Sequence, residues 1–209
     1  MTITPNPEVL NRLDPARQRN GRRTTLLRVI QPLTARSAKP LDAPFTIAID
    51  SAEQLPYAFT SLNADAAQLH RPLVVRTVRK ALKIGATRLS IDYSIEGHEN
   101  TVGIERKSHE DFCSTIAGKH RDRFESKLAL INGGVGLSAE TLARTTFRRF
   151  VVVVEAEISA ILNDPPPHSA AVPRTLMRSV FAWQERYPLI HWLFLPDRRL
   201  AEQATFRVL

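Results

Sequence analysis

The stretch Ile91–Asp111, IDYSIEGHENTVGIERKSHED, decides the fold expected of this 209-residue chain. Val102–Lys107 combines β-branched residues with an alternating pattern and no proline, which predicts a strand. Leu89–Ile95 is a second strand-like run, and the polar residues 96–101 join the two runs. The sequence therefore predicts a β-hairpin whose two strands bring acidic residues side by side.

Three charged side chains of this hairpin are expected on one surface. Successive side chains of a strand point to opposite faces, so Glu105 and Lys107 share a face about 6–7 Å apart, whereas Arg106 points away. The hairpin places Asp92 beside Glu105. Magnesium prefers carboxylate oxygens, a bound metal lowers the pKa of its water, and a lysine can stabilise charge that builds on a phosphate. The pattern suits metal-assisted phosphodiester hydrolysis, but Glu-x-Lys alone is common on solvated strands and helices.

A longer motif makes this interpretation more specific. Ile104–Asp111 reads IERKSHED, an ERKxxxD motif, and DYSIEG precedes it. The combination resembles the nuclease domain of the XPF family of structure-specific endonucleases, and it is most similar to the small bacterial and phage members. Those members also carry a leading IDxRE-like strand and a late AWxxRYP segment, which residues 49–54 (IDSAEQ) and 182–188 (AWQERYP) resemble. The resemblance covers roughly Phe45–Leu209.

The resemblance implies roles for the residues of the motif. Asp92 and Glu105 would hold the metal, and Lys107 would position the attacking water or stabilise the transition state. Asp111 is the last acid of the motif and a candidate catalytic residue. Ser108, three residues earlier, also resembles a helix cap, so a capping role for Asp111 stays open beside a metal role.

Two further acids match the leading strand of the family. Asp50 ends a predicted strand, where a catalytic, metal-site role competes with ordinary use as a helix N-cap. Glu53 is a secondary candidate, because an early glutamate also favours a helix N-terminus electrostatically.

The resemblance implies three other secondary site residues and shows two departures. Arg123 matches an arginine beside the site, with a solvated helix face as the alternative, and Glu155 matches an acid that closes a strand near the site. A backbone carbonyl near Arg106 is an expected metal ligand. The family's glycine before the first aspartate is Ile91 here, and its leading-strand arginine is Ala52, but neither change removes a metal ligand.

Strands and helices are expected to alternate along the rest of the chain. The predicted strands are Phe45–Asp50, Pro72–Val78, Phe150–Glu155 and Leu189–Leu195. The predicted helices are Ser51–Leu69 (helix, or helix plus loop), Ser108–Ile131 with a break near Gly118, Arg174–Tyr187 and Asp197–Val208. Four consecutive valines predict a strand buried on both faces, and His191 is expected to be a packed core histidine. The alternation predicts an α/β fold with a mixed central sheet flanked by helices, and the resemblance implies the restriction-endonuclease-like type.

Basic charge is concentrated near the N-terminus. The chain has 29 Lys and Arg against 21 Asp and Glu, a net charge of +8, and residues 1–40 hold eight basic and two acidic residues. Residues 1–43 contain five prolines, which predicts a partly extended arm before a nuclease domain at residues 44–209. A basic arm suits polyanion binding, with a solubilising tail as the alternative.

These features predict an endodeoxyribonuclease dependent on Mg²⁺ or Mn²⁺ that hydrolyses branched or otherwise structured DNA in repair or recombination. A catalytically weak or dead DNA-binding scaffold of the same fold, acting with a partner subunit, is the alternative, and the intact Asp92, Glu105 and Lys107 argue against it. An RNA-processing enzyme would share the chemistry. A homodimer is expected only from the resemblance.

Other functions are disfavoured by what the sequence lacks. Cys113 is the single cysteine, so an internal disulfide is excluded. We find no signal peptide, no run near the ~18 apolar residues of a membrane helix, and no GxxxxGK[ST] motif. We therefore expect a cytoplasmic protein with no membrane contact and no nucleotide cofactor.

Overall fold

The computed structural model describes residues 39–60, 62–66, 69–84, 87, 89–133, 147–164, 166 and 172–209. The strands are β1 (Leu41–Asp50), β2 (Asn63–Ala66), β3 (Leu69–Lys80), β4 (Tyr93–Ile95), β5 (Val102–Ser108), β6 (Arg149–Glu155) and β7 (Ile190–Phe194). The helices are α1 (His109–Ala117), α2 (Arg121–Ile131), α3 (Ile158–Asn163), α4 (Pro173–Arg186) and α5 (Arg198–Val208).

The strands form one mixed sheet in the order β2-β3-β1-β4-β5-β6-β7. β1 is parallel to β3 and antiparallel to β4. β4 is antiparallel to β5, and β5, β6 and β7 run parallel to one another. Residues of α1 to α4 pack into the core on one face of the sheet, and residues of α5 pack into the core on the other. The predicted α/β fold, a mixed central sheet flanked by helices, is confirmed.

β6 shows how the sequence fills both cores. Val152 and Val154 belong to the core with α1 to α4, and Val151 and Val153 belong to the core with α5. All four valines are at most 1% exposed. Because alternate side chains of a strand face opposite sides, the unbroken apolar run is what a doubly covered strand requires, as the sequence predicted.

The hairpin predicted from the opening stretch is present, with a shorter first strand. Tyr93 of β4 lies opposite Ile104 of β5 in antiparallel register. Asp92 N donates to Ile104 O at 2.9 Å, so Asp92 lies beside Glu105 as expected. Ile91, at the position where the family that the sequence resembles has a glycine, is buried, and the described non-glycine backbone has positive φ only at Phe59. Ile91 therefore needs no glycine-like conformation.

The predicted helix after the motif is broken where the sequence indicated. α1 ends at Ala117 and α2 begins at Arg121. A Cβ added to Gly118 would lie 2.3 Å from the carbonyl oxygen of Ser114, so this position excludes a side chain. Helix starts are also as predicted, because Ser108 Oγ accepts from the backbone of α1 at 3.1 Å, and the Asp197 side chain caps α5.

The helix predicted over Ser51–Leu69 is wrong. The described part of this segment consists of turns and irregular backbone followed by β2. Arg79 Nη2 donates to three carbonyl oxygens that a helix would have used internally, those of Asp50 (3.3 Å), Ser51 (3.1 Å) and Glu53 (2.6 Å). The arginine of β3 thus stabilises a turn in place of a helix.

Three smaller expectations have different outcomes. The strand predicted at Leu189–Leu195 is present as β7, but it is an edge strand and His191 is exposed, so the packed core histidine is wrong. Cys113 is buried. β1 begins at Leu41, within the last residues of the predicted arm, and residues 1–38 lie outside the described part. In the portion that is described, no helix is long and apolar enough to cross a membrane.

Candidate functional site

Glu105 is the centre of a charged cluster on the α1 to α4 face of the sheet. Its side chain is only 5% exposed, yet each carboxylate oxygen has a cationic partner. Lys107 Nζ lies 3.1 Å from Oε1, and Lys127 Nζ lies 2.5 Å from Oε2. Burial alone would raise the pKa of Glu105, but the charges of Lys127 and Lys107 outweigh it and hold that pKa below its usual value. Glu105 is thus an ionised carboxylate between two ammonium groups.

Lys107 is fixed by three neighbours. Besides Glu105, its ammonium contacts Asp111 Oδ2 at 3.0 Å and lies 5.2 Å from the centroid of the Phe124 ring. Thr115 Oγ1 donates to the other oxygen of Asp111 at 3.3 Å, which orients that carboxylate. Burial alone would lower the pKa of Lys107, but Glu105 and Asp111 raise it above its usual value. Lys107 is therefore a positioned donor whose charged form is stabilised by its neighbours.

The backbone and the side chain of Asp111 have different partners. Its backbone N–H is capped by Ser108 Oγ, whereas its carboxylate contacts Lys107. The capping interaction therefore leaves the side chain available to the site.

Asp92 is held against the strand that carries the cluster. Its Oδ2 accepts from the backbone N–H of Arg106 at 2.7 Å. Burial, and then the negative charge of Glu105, raise the pKa of Asp92 well above its usual value, although Lys127 opposes this. The hairpin therefore brings the carboxyl groups of Asp92 and Glu105 so close together that their negative charges repel each other.

A cavity of about 220 Å³ opens beside the cluster. It is lined by residues of β5, α1 and α2, among them Glu105, Lys107, Asp111, Arg123, Phe124 and Lys127. Asp92 and Asp50 do not line it. The Oδ1 atom of Asp50 accepts from Leu82 N at 3.2 Å, so the carboxylate of this predicted catalytic residue bonds to backbone and caps no helix.

Three of the predicted secondary residues lie together on the opposite face of the sheet. Arg106 forms a two-pronged ion pair with Glu155, at 2.8 and 2.9 Å, and contacts Glu53 at 3.3 Å. Arg198 of α5 also contacts Glu155, at 3.2 Å. The side chains of Glu53, Arg106 and Glu155 are thus engaged with one another and stand apart from the cavity that Glu105 and Lys107 line. Strand alternation explains the separation, because Arg106 lies between Glu105 and Lys107.

Lys127 is the residue that sequence reasoning missed. The sequence indicated Arg123 as the basic helix residue beside the site, and Arg123 does line the cavity. Lys127, four residues later, makes the direct contact with Glu105. Residues four apart lie on the same face of a helix, so a basic residue at this spacing from Arg123 was the available signal.

The residues present fit a divalent metal ion of the magnesium type. Asp92 and Glu105 offer neighbouring carboxylate oxygens, and Mg²⁺ typically takes one or two carboxylates and keeps several waters. Asp92, Glu105 and Asp111 lie near the two ammonium groups of Lys107 and Lys127, and ionisation of all three carboxyl groups would leave negative charge for a cation to balance. Among the described residues, no three His, Cys, Asp or Glu side chains are grouped so that together they could hold a metal ion.

Comparisons with known proteins add similarity at the level of overall structure. No protein-family model matches the chain, and no curated protein matches it. The solved structures to which the chain is similar include XPF from Aeropyrum pernix, with a TM-score of 0.45 and 17% identity, and XPF from Aeropyrum pernix in complex with DNA, with a TM-score of 0.43 and 16% identity.

The matched region is most of this chain but a smaller share of the solved ones. The first structure is matched over 77% of this chain and 62% of its own, and the second over 78% and 60%. The chain thus spans less than two thirds of either solved chain.

Proposed function

We propose that this protein is a divalent-metal-dependent DNA endonuclease that hydrolyses phosphodiester bonds. The single observation that carries the proposal is the pairing of Asp92 with Glu105 across the β4–β5 hairpin, with Lys107 Nζ 3.1 Å from Glu105 at an open cavity. An acid pair with a lysine fixed beside it is the arrangement that metal-assisted phosphoryl chemistry needs. The ERKxxxD resemblance supports the same interpretation.

Asp92 and Glu105 would hold Mg²⁺ or Mn²⁺, with the backbone carbonyl near Arg106 as a further ligand. Such an ion supplies Lewis-acid polarisation of the phosphate and a water of lowered pKa. Lys107 donates to the oxygens on which negative charge develops, and its preorganisation by Asp111 and Phe124 makes this donation effective. Water attacks phosphorus in line, which leaves 5′-phosphate and 3′-hydroxyl ends.

Exposed basic residues beside the cavity suit a polyanionic substrate. Lys119 and His120 lie at the turn between α1 and α2, and Arg123 follows on α2. His120 and Arg123 line the cavity, so a DNA strand that enters it would meet positive or hydrogen-bonding groups at once. We infer that the substrate is branched or otherwise structured DNA in repair or recombination. A second copy of the chain or a partner subunit would contribute further DNA contacts.

The test is cleavage of labelled flap, fork and duplex DNA, with Mg²⁺, with Mn²⁺ and with EDTA. We expect metal-dependent cuts by the wild type that Lys107→Ala and Glu105→Gln lose. Glu105→Gln should bind DNA at least as well as the wild type, because the change releases two ammonium groups from a carboxylate. The matched control is Glu110→Gln, which removes an acid from an exposed position of α1 and should leave cleavage unchanged.

If the Glu105→Gln protein still cleaved DNA, the assignment of the catalytic site would be wrong. If the wild type bound DNA but cleaved it under none of the metal conditions, the alternative function as a DNA-binding scaffold would be favoured instead. Cleavage of the corresponding RNA in preference to DNA would transfer the same chemistry to an RNA-processing role.

A further inference from the structure

Two lysines share Glu105, but they are not equivalent. Lys107 contacts a second carboxylate, Asp111, at 3.0 Å, and the Phe124 ring. Among the described residues, Lys127 forms an ion pair within 4 Å with one carboxylate, that of Glu105, and its charge also acts on Asp92. If Glu105 were withdrawn from both lysines, Lys107 would keep a partner and Lys127 would lose its ion pair.

The position of Lys127 conflicts with metal binding by Glu105. Its ammonium lies 2.5 Å from Oε2, and the side chain is only 12% exposed, so solvent screens the pair weakly. A divalent cation at that carboxylate would face a like charge at close range. Entry of the cation therefore requires that Lys127 release Glu105, and an unpaired ammonium with so little exposure needs a new anion.

The cavity offers one place for that anion. Lys127, Arg123 and His120 all line it, so a phosphate in the cavity would lie within reach of the released ammonium. We propose that Lys127 is an internal counter-cation of Glu105, which a divalent cation displaces and which then binds a phosphate of the DNA in the same cavity. This inference rests on the proposed function and gives its metal and DNA sites a thermodynamic coupling.

The coupling has a distinctive sign. Without DNA, Lys127 competes with the cation, so removal of its charge tightens metal binding. With DNA, the same residue binds a phosphate, so its removal weakens DNA binding. Coupling between two ligands is reciprocal, and the gain in metal affinity caused by DNA should therefore shrink in the variant. A lysine that only stabilises the fold would produce neither effect.

Mn²⁺ binding to the full chain, followed by the electron paramagnetic resonance signal of free Mn²⁺ at fixed pH and salt, tests the proposal. Without DNA, we expect Lys127→Gln to bind Mn²⁺ about tenfold more tightly than the wild type, within the usual range of coupling factors. Lys127→Arg keeps the charge and should resemble the wild type. Arg207→Gln, which removes a positive charge from an exposed position of α5 on the opposite face of the sheet, is the control for long-range charge and should change the affinity little.

The second measurement is DNA affinity in Ca²⁺, with cleavage checked to be absent. We expect Lys127→Gln to bind more weakly than the wild type, with a salt slope smaller by about one. Melting temperatures verify the fold of each variant, and Lys127→Met, which keeps the aliphatic stem, replaces Lys127→Gln should the latter not fold.

Unchanged or weaker Mn²⁺ affinity in a folded Lys127→Gln protein overturns the inference. Glu105→Gln separates this failure from failure of the proposed function. Loss of Mn²⁺ binding in Glu105→Gln, with no effect of Lys127→Gln, overturns the role of Lys127 alone. A Glu105→Gln protein that binds Mn²⁺ like the wild type, or a wild type that binds none, overturns both.

Discussion

Asp92 carries the least stabilised charge of the candidate site. One of its oxygens accepts a backbone hydrogen bond, but burial and the adjacent Glu105 carboxylate disfavour its ionised form and raise its pKa. Metal binding requires that ionised form. Asp92 therefore serves the proposed chemistry but lowers the stability of the metal-free folded protein, as residues of functional sites often do.

Asp92→Asn should stabilise the metal-free protein at neutral pH while it abolishes cleavage. Because the pKa of Asp92 is raised in the folded state, its ionisation lowers stability as the pH rises from the unfolded pKa through the folded one. An asparagine can still accept from Arg106 N. A gain of roughly 1 kcal/mol would raise the melting temperature by about 2–4 °C in a domain of this size.

The measurement is thermal unfolding of both proteins from acid to neutral pH with EDTA present. The difference between them should be largest at neutral pH and should disappear in acid, where Asp92 is protonated in both states. A variant less stable than the wild type at neutral pH would contradict the assignment of an unfavourable charge.

For single residues, the sequence predicted which side chains belong to the candidate site better than it predicted the contacts between them. The pairing of Asp92 with Glu105 followed from strand alternation and a short hairpin, which are local rules. Lys127 was missed because the rotation of α2 about its axis depends on how Phe124 and Leu128 pack in the core, and spacing alone does not fix that rotation. The side-chain pairing of Glu53 with Arg106 spans 53 residues and has no local signal.

Elements on the opposite face hold β5 in place. Arg106 of β5 joins the end of β6 through Glu155, and Arg198 of α5 contacts the same carboxylate and the carbonyls of Leu55 (2.6 Å) and Pro56 (2.9 Å). Burial alone would raise the pKa of Glu155, but Arg106 outweighs it and lowers that pKa. The network therefore ties the strand that bears Glu105 and Lys107 to its neighbours without entering the cavity.

Glu155→Gln should destabilise the protein by about 2–3 kcal/mol, the scale of a hydrogen bond to a charged group. Since the folded pKa of Glu155 is lowered, its contribution is present above the unfolded pKa and is lost as the pH falls through the folded one. The deficit of the variant should accordingly shrink in acid, as the gain of Asp92→Asn does, but the two stability differences have opposite signs.

Urea denaturation at neutral and acid pH measures this deficit. Glu157→Gln, an exposed acid two residues later, is the matched control and should change the free energy of unfolding little. A Glu155→Gln protein as stable as this control would show that the ion pairs with Arg106 and Arg198 contribute nothing net.

Elements with strong local signals were predicted well, and the exception has a physical cause. β6, the break at Gly118 and the cap at Asp197 all follow from residues next to one another in the chain. The turn after β1 was mistaken for a helix because its carbonyls are bound by Arg79, a partner 26 to 29 residues away. No local pattern reveals a partner at that distance.

For the whole molecule, the uneven charge predicts how DNA binding responds to salt. Residues 1–38 carry seven Arg and two acids, and β1 begins at Leu41. Deletion of residues 1–38 keeps Lys39, whose carbonyl accepts from Arg71 Nε at 3.0 Å, and so spares the sheet. We expect weaker DNA binding and a flatter salt dependence, by about 0.9 in slope for each DNA phosphate that the shortened chain no longer neutralises.

The logarithm of DNA affinity against the logarithm of salt concentration gives this slope for the full chain and the deletion. An equal slope in the two proteins would assign residues 1–38 to solubility and would place all DNA binding on the rest of the chain.

The alternation of β5 has an evolutionary consequence. Glu105 and Lys107 meet the cavity only because Arg106 occupies the intervening position and fills the other face. A single codon inserted or deleted within β5 would exchange the two faces, placing the arginine in the cavity and the acid and lysine among the ion pairs behind the sheet. Substitutions at individual positions of β5 can therefore be tolerated during evolution, whereas insertions and deletions within the strand would be selected against.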